Sequence, residues 1–179
     1  AISIAKALGA EIVSSDSMQI YKGMDIATAK PTPEELAEIP HHLIDFADPH
    51  QAFSCAEYVT LAKEKVEEIH ARGRFPILCG GTGLYLDSFL RGGGFEETET
   101  DPALRESLFA FAAEHGNHAL HERLRAVDPE SADAIHENNV KRVVRALEIF
   151  ETTGVTKTEL DRRSVETESD YDALVIGIR

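Results

Sequence analysis

Groups able to do chemistry fall in three short stretches of this chain. In the first, Asp16 lies between Ser15 and Ser17, three residues after the apolar pair Ile12-Val13. A polar loop follows, carrying Tyr21, Lys22, Asp25, Thr28 and Lys30 and pinned by Gly23 and Pro31. The apolar run fits a buried strand, and in an open α/β sheet ligands bind beyond the carboxyl ends of the strands. A carboxylate placed there can take a proton from a substrate. On spacing alone it is equally a cap for the turn that follows. The second stretch, Gly80-Gly81-Thr82, follows the apolar segment Phe75–Cys79. Its glycines permit close backbone approach, and the Thr82 hydroxyl would face the same crevice. Here spacing by itself favours an N-cap for the next helix. In the third, Lys141, Arg142 and Arg145 share a helix face opposite the stripe Val140, Val143, Val144, Leu147. A solvated face is the usual meaning of such a cluster, and phosphate binding is the functional one.

Other candidates are weaker. His115, His118 and His121 recur every third residue, but Gly116 interrupts the helix and no Cys or nearby acid completes a zinc set. Cys79, in a strand, reads as an inert core residue. The two cysteines of the chain offer no disulfide framework, which fits a reducing, cytoplasmic setting. The N-terminal residues lack the basic lead and apolar centre of a secretory signal, and no apolar run reaches the roughly 20 residues of a membrane span. With 18 Lys and Arg against 32 Asp and Glu, the net charge of -14 excludes a generally basic nucleic-acid coat. Any RNA must be held by a local basic patch and by shape.

The elements that must position these groups follow from caps and periodicity. Ala1–Leu8 ends a helix at Gly9, and Glu11–Ser14 is a strand. Thr32-Pro33-Glu34-Glu35 and Ser54-Cys55-Ala56-Glu57 are capping boxes opening two helices. His42–Phe46 and Phe75–Cys79 are further strands, and Gly83–Leu90 is a helix. Strands alternating with helices predict a parallel sheet flanked by helices. Gly92-Gly93-Gly94 reads as a flexible break before an acidic lead, and residues 99–137 as an inserted helical subdomain. Asn139–Thr153 is the longest helix, ending at Gly154, and Ala173–Ile178 returns to a buried strand. The domains expected are therefore 1–98 as α/β core, 99–137 as helical insertion, and 138–179 as a return to the core.

The stretch D-S-M-Q-I-Y-K-G-M-D-I-A-T-A-K-P at 16–31, together with G-G-T-G-L-Y-L at Gly80–Leu86 and K-R-V-V-R-A-L-E at Lys141–Glu148, resembles the bacterial tRNA dimethylallyltransferases. Three motifs in family order, spread over most of the chain, make that resemblance specific. It implies a P-loop-NTPase-like fold and transfer of a dimethylallyl group from dimethylallyl diphosphate. The acceptor would be N6 of the adenosine 3′-adjacent to the anticodon in tRNA. It further implies Asp16 as the base, Thr82 as its catalytic companion, and tRNA contacts at Asp16, Ser17, Met18, Gln19, Thr82, Arg105, Lys141, Arg142, Val143, Val144 and Arg145.

In that family a phosphate-binding loop with its nucleotide-binding Lys and Thr precedes the first helix. The chain is thus expected to be a piece cut after the loop, a monomer, and nearly inactive by itself. Mg²⁺ is expected as cofactor, with its ligands mainly in the preceding loop and no metal ligand within this chain. One departure stands before the basic helix, where His136-Glu137-Asn138-Asn139 replaces the family's His-Pro-Asn-Asp. A P-loop nucleotide or small-molecule kinase, and a tRNA-binding piece without activity, are the alternatives.

Overall fold

Short apolar runs alternate with capped helices along the first half of the chain, and they assemble as an α/β layer. The computed structural model describes residues 1–91, 100–166, 169 and 171–177. The chain divides into two compact units, one of Ala1–Gly93 with Ser169–Arg179 and the other of Gly94–Glu168.

In the first unit, α1 (Ile2–Leu8) stops at Gly9, whose φ of 63° is left-handed and whose position suits glycine as a C-cap. β1 (Glu11–Ser14) is buried at all four positions. α2 (Pro33–Glu38) begins at the expected capping box of Thr32 and Glu35. β2 (His41–His42) pairs parallel with one side of β1. α3 (Cys55–Ala71) begins at the Ser54 and Glu57 box and buries Tyr58, Val59, Ala62, Val66 and Ile69. β3 (Pro76–Cys79) pairs parallel with the other side of β1, matching Ile12 to Ile77 and Val13 to Leu78. α4 (Gly83–Leu90) follows at once.

The strand order is β2-β1-β3. The chain leaves β1 toward one side of the sheet and then crosses to the other. The point where the order reverses therefore lies between the carboxyl ends of β1 and β3, where α/β sheets bind ligands. Successive β1 side chains serve opposite faces of the sheet. Ile12 packs with Ala5, Ala10 and Ile39, and Val13 packs with Tyr58, Ala62, Val66, Tyr85 and Phe89.

Two strand expectations need correction. The strand over His42–Phe46 shrinks to His41–His42, because Leu43 and Asp45 take left-handed φ values of 59° and 55°. Beyond them, Asp45 N donates to Gln19 O, and Phe46 N and Ala47 N both donate to Ile20 O. These bonds tie the segment to the loop after β1 instead of extending the ladder. Residues 173–177 form no strand among the described residues, and Leu174, Val175 and Ile176 are exposed. The glycine break at 92–94 and most of the acidic lead lie outside the described residues.

The second unit is helical. Asp101 Oδ1 accepts from Ala103 N and Leu104 N to cap α5 (Pro102–His115). α6 (Asn117–Val127) follows, and then α7 (Pro129–Ala134), capped by Asp128. α8 (Val140–Thr153) ends at Gly154, with φ 72°. α9 (Lys157–Glu166) was not expected from the sequence. One core joins Leu108, Ala112, Leu120, Leu124, Ala132, Val143, Val144 and Leu147. The long helix α8 thus packs with α5 and α6, and the boundary expected at residue 137 falls inside this unit. The amphipathic stripe specified that α8 buries a face, and left open against which partner.

Three buried carboxylates give the fold a pH dependence. Burial alone would raise the values of Glu11, Asp128 and Glu148. The partners outweigh it and hold all three below the ordinary carboxylate range: Arg72 and His42 on Glu11, Ser131 and Thr158 on Asp128, Arg105 and Arg145 on Glu148. The unfolded chain therefore binds protons first as pH falls, and stability present at neutral pH is lost through the lowered folded-state values. Thermal midpoints measured from pH 7 downward are expected to hold until about pH 4.5 and then to drop steeply. A flat profile to pH 3 would contradict the assignment.

Candidate active site

Past Ser14 the chain leaves β1 and turns sharply across the switch point. Ser15 N donates to Cys79 O at 2.9 Å, and Thr82 N donates to Ser15 O at 3.1 Å, so the exits of β1 and β3 are joined through backbone atoms. Gly80 makes that approach possible. A Cβ there would lie 2.3 Å from Ser15 C and 2.8 Å from Asp16 N, where no side chain fits.

Asp16 divides its carboxylate. Oδ1 accepts from Met18 N at 2.8 Å and from Gln19 N at 3.3 Å, which is the turn-capping role. Oδ2 has no hydrogen-bond partner among the described residues. Thr82 does not cap α4 with its side chain. Its Oγ1 instead accepts from Ser17 N at 2.9 Å and donates to Ser17 Oγ at 3.1 Å. Asp16 and Thr82 therefore sit on one edge of the sheet, locked together through Ser17. Beneath them, Tyr58 and Tyr85 stack at 4.0 Å. Burial, aided by Cys55, Tyr21, Glu57 and Asp16, pushes the Tyr85 phenol up to about 12, so it stays neutral.

The loop after Asp16 is fixed from within. The Gln19 amide donates to Thr28 O and Ala29 O, and its Oε1 accepts from Ser14 Oγ at 3.0 Å. Ala27 and Ala29 take left-handed φ values of 62° and 50°. For L-residues each costs about 1–2 kcal/mol, which the surrounding bonds offset. Lys30, almost buried, meets Asp25 at 2.9 Å, Asp45 at 2.5 Å and Tyr21 O at 2.7 Å. Burial would lower its value, but Asp45 and Asp25 outweigh that and raise it. Lys30 is a structural clamp, not a free cation.

In the second unit the basic cluster has two parts. Lys141 and Arg142 are exposed and form no ion pair among the described residues. Arg145 and Arg105 converge on Glu148. Glu148 Oε2 accepts from Arg105 at 2.7 Å and from Arg145 at 2.8 Å, while Oε1 accepts from Asp101 N at 3.1 Å. The turn before α8, where the sequence departs from the family pattern, closes on itself. Asn139 N donates to His136 O, and Asn138 N donates to His136 Nδ1.

A family model described as IPP transferase matches residues 19–179, most of the chain. The chain belongs to that family. Among curated IPP transferase relatives, the tRNA dimethylallyltransferase of Bacillus pumilus is 51% identical over 99% of this chain and 56% of its own length. That of Bacillus subtilis is 50% identical with the same coverage. The chain thus spans a little over half the length of the curated relatives it matches. A crystallised eukaryotic dimethylallyltransferase acting on tRNA superposes with a TM-score of 0.71 at 28% identity, covering 94% of this chain and 41% of that one. The α/β class with a parallel sheet flanked by helices holds.

Set against this IPP transferase frame, the site residues named from sequence separate by environment. Asp16, Ser17 and Thr82 are brought together. Met18 is exposed beside them, and the Gln19 side chain is spent on the loop. Val143 and Val144, carried over as tRNA contacts, are buried in the helical core. Their side chains set the face that α8 presents. Glu148 was not singled out in the sequence. A lone acid on the apolar side of an amphipathic helix, three residues after an arginine, was the available signal. His121 Nε2 is buried against Ala132 O and Ile135 O, while His118 faces Glu137. Among the described residues no group of three His, Cys, Asp or Glu could hold a metal.

Proposed function

We propose that the full-length protein transfers a dimethylallyl group from dimethylallyl diphosphate to N6 of the adenosine 3′-adjacent to the anticodon in tRNA. Family membership supports this reading, and one observation of geometry carries it. Asp16 presents an unpartnered carboxylate oxygen at the β1/β3 switch point, beside the Thr82 hydroxyl. The adenine amine is a poor nucleophile whose proton becomes strongly acidic as the new C–N bond forms. That proton passes to Asp16 Oδ2 while the allylic C–O bond breaks and its electron pair leaves with pyrophosphate. Thr82, fixed through Ser17, touches the tRNA near the reacting base. The base has to leave its stack to reach this crevice.

The described residues do not by themselves fit a resident Mg²⁺, since no acidic cluster surrounds one point. Lys141, Arg142, Arg145 and Arg105 bind RNA phosphates, a local positive patch in a chain of net charge -14.

The test is prenylation of an anticodon stem–loop by the full-length protein. Mass spectrometry of the digested RNA is expected to find N6-isopentenyladenosine, whereas phosphate transfer from ATP to a small acceptor would favour a kinase. In the same assay, replacing both Lys141 and Arg142 by Ala is expected to weaken RNA binding. It should also reduce the slope of log affinity against log salt by roughly 1.5, because each phosphate neutralised accounts for about 0.7–0.9 released counterions. An unchanged slope would remove these cations from the interface.

A further inference from the structure

The arrangement around Glu148 does more than neutralise charge. It is a fully buried acid carrying two arginines on one oxygen, with the N-terminus of α5 on the other. The two guanidinium-bearing side chains remain 41% and 36% exposed. Two cations on different helices would ordinarily repel and move independently. Here a single buried oxygen draws both to one place. A guanidinium is a rigid planar fork whose donors match phosphate geometry, so holding one edge fixes where the rest points. The same carboxylate, through Asp101 N, also ties down the first turn of the helix that carries Arg105.

We propose that Glu148 is a positioning residue for RNA binding: it holds Arg105 and Arg145 as a paired phosphate clamp of fixed spacing. The inference rests on the reading that these arginines meet tRNA. It adds that their affinity comes from being held, not from charge alone.

The sign of one substitution separates the two ideas. Glu148→Gln removes a negative charge. If net charge governed binding, RNA would bind tighter and with a steeper salt dependence. If positioning governs, binding weakens although the patch has become more positive. In the full-length protein the expected result is about a tenfold rise in KM for an anticodon stem–loop, with the effect on KM and not on the single-turnover rate at saturating RNA. In an Arg105→Ala, Arg145→Ala background the same Glu148→Gln change is expected to add nothing further to KM. Tighter or unchanged binding by Glu148→Gln overturns the proposal. So does an equal loss in the background lacking both arginines, which would make Glu148 a fold residue only.

Arg105→Lys tests the geometry with Glu148 intact, should Glu148→Gln fail to fold. A flexible point charge cannot sit on Glu148 and present a fork, so it is expected to lose most of what Arg105→Ala loses. Wild-type KM for Arg105→Lys overturns the proposal equally. If the Arg105→Ala, Arg145→Ala protein binds RNA like the wild type, the underlying reading of these arginines fails instead.

Discussion

Replacing Asp16 by Asn in the full-length protein is expected to lower the single-turnover rate at saturating tRNA by about 10² to 10⁴, with little change in tRNA affinity. The two oxygens of Asp16 make this substitution unusually clean. Oδ1 accepts from Met18 N and Gln19 N, and the amide oxygen of Asn can accept both bonds. Asn is as good a turn former as Asp, so the chain from β1 into the loop keeps its course. What disappears is the second carboxylate oxygen, the one without a partner, and with it the ability to take a proton from the amine. Removing one neutral hydrogen bond to the bound RNA would cost only about 1 kcal/mol, well short of the rate effect. Should Asp16→Asn react at the wild-type rate once RNA saturates, the turn cap is the whole role of the residue.

The second large effect is expected at Gly80. Alanine there would place a methyl group 2.3 Å from Ser15 C and 2.4 Å from Ser15 O. Neither atom can swing aside, because Ser15 N and Ser15 O are bonded to Cys79 O and Thr82 N. Forcing a carbon into a filled space costs about 1–3 kcal/mol when side chains can give. Against backbone, the upper end of that range is expected, about 3 kcal/mol. For a unit of this size it lowers the thermal midpoint by roughly 12–24 °C. Gly81→Ala is the control, since a Cβ there meets nothing within 4 Å, and its stability should stay within about 0.5 kcal/mol of wild type. Equal midpoints for the two variants would show that the β1 and β3 exits are not packed as described.

How far the sequence discloses this depends on the range of the interaction involved. Thr32 with Glu35, Ser54 with Glu57 and Asp101 with Pro102 announce helix starts because a cap is made by residues within one turn of each other. β1 and β3 are legible because a buried strand needs a continuous apolar run. α9 escaped notice because it carries few apolar residues, although Thr156 followed three positions later by Glu159 does cap it, Glu159 N donating to Thr156 Oγ1. The shortening of β2 was hidden, since nothing in His42–Phe46 announces that Leu43 and Asp45 turn left-handed. Asp16 and Thr82 were visible as candidates, but their link through Ser17 was not, being a contact between loops. Glu148 was hidden for a related reason: its meaning lies in Arg105, on another helix.

The bond from Ser17 N to Thr82 Oγ1 spans 65 residues of sequence, and this has a bearing on time. Helices such as α5, α6 and α8 close against one another over short loops, whereas pairing β1 with β3 must bring together distant parts of the chain, the slower class of event. During synthesis β1 leaves the ribosome early and waits, without its β3 neighbour, until the segment through Thr82 has emerged. The crevice is consequently among the last features of its unit to exist. A nascent or partly unfolded chain has Asp16 and has Thr82, but it does not have the pair.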